Sequence, residues 1–143
     1  MTNDNVLEYA STLFYKSENN EKLTNFLESE MRGYLDPEWS EFIIELEIGT
    51  VHLNKLEFAP GNKVAVTILK IYNFLKNRFG EEVREDRRVK ALLEADYSIG
   101  IVFKLDSPDE TILMTLTSKI LNASSGVMFV GDTLLDSYLE SID

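Results

Sequence analysis

Residues 97–130 set the tightest constraint on what this chain of 143 residues can fold into. Tyr97, Ile99, Ile101, Phe103 and Leu105 alternate with Ser98, Gly100, Val102 and Lys104, the two-residue period of a β-strand. Three of the four intervening side chains are small or apolar, which predicts a central strand covered on both faces. Ser107-Pro108-Asp109-Glu110 then reads as a capping box with proline at the first helical position. Ile112, Leu113, Leu116 and Ile120 carry one helical stripe from there to about Asn122. Gly126 opens a second strand, Val127-Met128-Phe129-Val130. The spacing predicts a β-α-β unit at 97–130, with a right-handed crossover if its strands are parallel in one sheet. Gly100, inside the first strand, points to a bulge or to close approach by a helix or ligand.

Upstream, two amphipathic patterns predict helices. Val6, Leu7, Ala10, Leu13 and Phe14 recur at helical spacing after Asn3 and Asp4, which suit a cap. Leu23, Phe26, Leu27, Met31, Tyr34 and Leu35 do the same after Asn19 and Asn20, and Gly33 and Pro37 end the pattern. The short link between them predicts an antiparallel helical hairpin over 1–36. Phe42, Ile44, Leu46 and Ile48 then alternate as a strand, and Gly49-Thr50 suits a two-residue hairpin turn. That register pairs Leu46 with Leu53, Glu47 with His52 and Glu45 with Asn54. A helix starting at Asp36-Pro37-Glu38 is the rival reading for this stretch. The pattern from Val64 to Phe79, capped by Asn62 and closed by Gly80, is a helix, and the charged stretch after it is a shorter, exposed one. At the C-terminus Leu134, Leu135, Tyr138, Leu139 and Ile142 fit a helix capped by Asp132, the reading preferred here. Gly131-Asp132 also fits a tight turn into a strand over 133–139. The expected fold is α+β in a single domain of residues 1–143. The helical hairpin leads, and residues 37–143 form a mixed sheet of three to five strands packed with helices.

Charge and residue types narrow the function. Acidic residues number 25 against 14 basic ones, there is no cysteine, and His52 is the single histidine. Lack of cysteine excludes disulfides, thiolate metal sites and a cysteine nucleophile. No nucleophile elbow, phosphate loop, dinucleotide fingerprint or EF-hand spacing occurs. The charge balance is −8 over residues 1–60, +2 over 61–96 and −5 over 97–143. Acidic flanks argue against nucleic acid as a ligand, since phosphate binding needs clustered cations. The one basic cluster, Arg84, Arg87, Arg88 and Lys90, is interleaved with Glu81, Glu82, Glu85 and Asp86 and reads as a solvated helix face. A polar N-terminus and short apolar runs show neither a secretory leader nor a membrane span, so a cytoplasmic protein without membrane contact is expected.

The most suggestive patch is the acidic block Asp36, Glu38, Glu41, Glu45 and Glu47. On a strand, alternate carboxylates resist edge-to-edge association. They also form an electrostatic docking surface that speeds encounter with a cationic protein. The reading is a non-enzymatic protein that binds a basic protein partner, as immunity proteins and inhibitors of cationic toxins or nucleic-acid enzymes do. No cofactor, metal or catalytic residue is assigned. Two alternatives stand beside it. One is a carboxylate-based small-ligand protein or Mg²⁺ enzyme near Asp132 and Asp136. The other is a homo-oligomer assembled through the leading helices.

Overall fold

In the structure, a computed structural model, residues 7–30, 40–57, 63–106 and 109–142 are described. They form six strands and four α-helices. In chain order these are β1 (Leu7–Tyr15), α1 (Asn20–Glu30), β2 (Glu41–Leu46), β3 (Gly49–Glu57), α2 (Lys63–Phe79), α3 (Arg87–Glu94), β4 (Tyr97–Leu105), α4 (Glu110–Ser124), β5 (Val127–Val130) and β6 (Thr133–Leu135). A short 3-10 turn over Glu81–Glu85 links α2 to α3. One open sheet holds all six strands in the order β2-β3-β4-β1-β5-β6, and every neighbouring pair is antiparallel. The fold is α+β.

The largest departure from expectation is at the start. Residues 7–15 are the central strand β1, so the expected leading helical hairpin does not form. The sheet gains a strand accordingly: it has six, beyond the expected three to five, and it is antiparallel throughout where a mixed sheet was expected, because β1 separates the two strands that run parallel. Tyr9, Thr12, Phe14 and Tyr15 are residues that favour a pleated, half-buried surface. Leu13 pairs with Ile99 on one side and Met128 on the other. Leu13 and Phe14 point to opposite faces, and both are buried. Beyond the strand, Asp96 accepts hydrogen bonds from the Ser17 backbone N–H (2.6 Å) and hydroxyl (2.9 Å), fixing where the chain turns into α1.

The β-α-β unit holds with one change. β4 and β5 are both antiparallel to β1, so they run parallel to each other with β1 inserted between them. Asp109 caps α4, its carboxylate accepting the Ile112 N–H at 3.0 Å. Ser107 and Pro108, like the Asn62 cap and the residues 31–39, lie outside the described residues.

Two cores flank the sheet. On one face α1 and α4 cover Leu13, Leu53, Ile99, Ile101, Leu105 and Met128 with Leu23, Leu27, Leu116 and Ile120. On the other, α2 and α3 cover Phe14, Val127 and Leu134 with Ile71, Leu75, Val89 and Leu92. Full burial of each large aliphatic side chain contributes about 1.5–3 kcal/mol. The second pair of helices packs chiefly on the β1-β5-β6 half of its face.

The β2–β3 hairpin exists, but its turn is Glu47-Ile48 and not Gly49-Thr50. Leu46 faces Gly49, Glu45 faces Thr50, and Ile43 faces His52. The shift from the expected register is even, so every side chain keeps its face. Gly49 is needed elsewhere. A Cβ on it would run into the Lys104 carbonyl and come within 2.9 Å of Leu105 Cα, so the glycine lets β3 close on β4. The expected C-terminal helix over 132–142 is also replaced. Gly131-Asp132 turns the chain, with Gly131 at φ 62°, into the short strand β6, and Leu135 bridges back to Ser141.

Candidate functional site

The part of the sheet that α2 and α3 leave uncovered presents three rows of side chains across β1, β4, β3 and β2. Register places Glu8, Lys104, Thr50 and Glu45 in the first row. Ala10, Val102, His52 and Ile43 form the second, and Thr12, Gly100, Asn54 and Glu41 the third. None of these twelve residues is buried, and Ile43 is 44% exposed. The middle row is an apolar band, interrupted by one imidazole, between rows that carry carboxylates.

The acidic block divides. Glu41 and Glu45 stand on this face at the edge strand β2, about 13 Å apart for four residues of extended chain. Glu47 is exposed in the adjoining turn. Asp36 and Glu38 lie outside the described residues. Lys104 is the single cation in the three rows, and its Nζ is 4.0 Å from Glu8. Glu41, Glu45 and Glu47 have no ion-pair partner among the described residues.

Five cations elsewhere are engaged by acids. Arg78 pairs with Asp132, Lys16 with Glu94 at 2.8 Å, and Lys90 with Glu85 at 3.5 Å. The basic cluster does more than line a solvated helix face. Arg87 binds Asp136 at 2.7 Å and Glu140 at 3.3 Å, so α3 holds the C-terminal segment. Arg88, 11% exposed, donates to both carboxylate oxygens of Asp86 and to the Glu140 carbonyl. The guanidinium of Arg88 holds the Asp86 carboxyl below its usual range, against the opposing effect of partial burial.

Two candidate constellations from the sequence are rearranged. His52 faces Ile43 and Val102, not Glu47, and its Nε2 lies 3.1 Å from Thr50 Oγ1. Asp132 and Asp136 each face an arginine, and the described residues hold no cluster of three metal-ligating side chains. Gly100 lies on the open face, with Asn54 O at 4.0 Å from the position of a Cβ, so neither a bulge nor a helix explains it. The residues that sequence reasoning missed are Glu8, Ala10, Val102 and Lys104. Val102 and Lys104 join Glu41 and Glu45 only through the long-range pairing of β3 with β4, and Glu8 and Ala10 only through the further pairing of β1 with β4.

Among the described residues no helix is long and apolar enough to cross a membrane. Compared with protein-family models, known proteins and solved structures, the chain matches none of them.

Proposed function

We propose that this chain is a non-enzymatic binding protein that docks a basic protein on the open sheet face and its acidic edge. Its role would be that of an immunity protein or inhibitor neutralising a cationic toxin or nucleic-acid enzyme. One observation carries the reading: Glu41, Glu45 and Glu47 are exposed and lack ion-pair partners among the described residues, beside the exposed Ile43. An apolar centre with a charged rim is how protein interfaces are commonly built. Uncompensated carboxylates at that rim raise the encounter rate with a cation-rich partner and penalise anionic competitors.

The test is affinity capture from the native host at low ionic strength, run in parallel with the E41K/E45K/E47K variant. A basic protein should be retained by the native chain and lost from the variant. Its association rate should fall about tenfold or more on charge reversal and also fall with added salt. The same proteins retained by both baits, with salt-independent kinetics, would refute the proposal.

A further inference from the structure

On the opposite face of the sheet, away from the acidic edge, β1, α4 and the β5–β6 end frame an open-mouthed chamber of about 190 Å³. Phe103, Leu113, Met128 and Leu135 make its walls, with Tyr9 and Met114, both substantially exposed, among the lining residues. Among the described residues, none of those lining it is charged. Three observations set this chamber apart from a packing gap.

The first is its size. An apolar cavity of about 150 Å³ is large enough for benzene, so this one accepts a ring with a substituent. The second is Ser11, which also lines the chamber. Its Oγ is the one buried side-chain polar atom among the described residues without a hydrogen-bond partner, and it lies just beneath the chamber surface, so a guest meets it when the serine side chain turns toward it. Buried hydroxyls nearly always have a partner, and an orphan one calls for an explanation. The third is Leu139, another residue of the wall, held at φ 59° in the left-handed region that a bulky side chain avoids. Its N–H donates to the Asp136 carbonyl at 2.8 Å, and Asp136 is in turn gripped by Arg87. Backbone held against its preference by surrounding contacts is a recurring property of ligand clamps.

We infer that this chamber binds a small, neutral, mostly apolar molecule the size of one substituted ring, which offers a single hydrogen-bonding group to Ser11 Oγ. Uncharged walls disfavour an ionised ligand, because nothing there would offset its desolvation. The hydroxyl selects among apolar molecules of equal shape, since the correct one satisfies a group otherwise left without a partner.

The probes are p-cresol and p-xylene, which share a shape and differ in one hydroxyl. Titrations of the full chain are followed by the methyl signals of Met114 and Met128. Both probes should shift these signals, with p-cresol binding about tenfold more tightly. Ser11→Ala should bring the two affinities to within about twofold while leaving p-xylene binding intact. Met114→Trp, at an exposed position on the α4 wall of the chamber, should fill part of it and weaken both probes. Absence of shifts at Met114 and Met128, equal affinities for the native chain, or a p-cresol preference that survives Ser11→Ala would each overturn the inference.

Discussion

Asp86 offers the most direct test of how the basic cluster works. It caps α3 by accepting the Arg88 N–H at 2.8 Å, and it takes the Arg88 side chain at 2.9 and 2.7 Å. Asp86→Ala removes a helix cap, about 1 kcal/mol, and leaves a mostly covered guanidinium with the Glu140 carbonyl alone. Together the losses come to about 2–4 kcal/mol. Asp86→Asn keeps the shape and a competent cap but not the charge, so its cost is smaller, about 1–2 kcal/mol. The pH dependence separates these effects. Because Arg88 depresses the folded carboxyl pKa, its stabilisation is complete above the unfolded value of about 3.9. It is lost as pH falls through the lower folded value. Urea unfolding at neutral pH should therefore separate the native chain from Asp86→Asn, and the gap should close in strong acid. A gap that stays constant down the acid limb, or an Asp86→Ala variant within about 0.5 kcal/mol of the native chain, would refute this account.

Three further outcomes are expected from the same unfolding assay. Gly49→Ala drives a methyl into the backbone of β4 and should cost about 3 kcal/mol or more, visible as a lower urea midpoint. Gly100→Ala, on the open face with space for a Cβ, should be neutral or stabilise by about 0.5 kcal/mol. Ile101→Ala opens a cavity in the larger core, where Ile101 is fully buried, and should cost about 3 kcal/mol.

Where one element met one environment, the sequence was legible. The alternation at 97–105 led to β4, although its second face is open from Gly100 to Lys104 where cover was expected, and the Ser107-Pro108-Asp109-Glu110 pattern led to α4, whose cap is Asp109 and not Ser107. Residues 7–15 failed for a physical reason. Leu13 and Phe14 are buried in different cores, on opposite sides of one strand, so adjacent apolar residues mimic a helical stripe. The same happens at Leu134 and Leu135, which serve the two cores in turn, while Tyr138 is 75% exposed where a helical stripe would have buried it. Of the candidate site, the acids of β2 could be placed on one strand face from their spacing. Their companions on β1 and β4 could not, because strand order across nearly a hundred residues has no local signature. Ser11 was hidden by the same misreading of β1.

The insertion of β1 between β4 and β5 has a consequence for how the molecule is made. Leu7 is aligned with Leu105, so the earliest strand to be synthesised waits for most of the chain before either neighbour exists. Until then Leu13 and Phe14 are exposed, and a wrong edge can capture them. Once β4, α4 and β5 are present, they frame a slot that only an incoming strand fills. Pairings so distant in sequence carry a large loop-closure cost before they are rewarded, which slows folding.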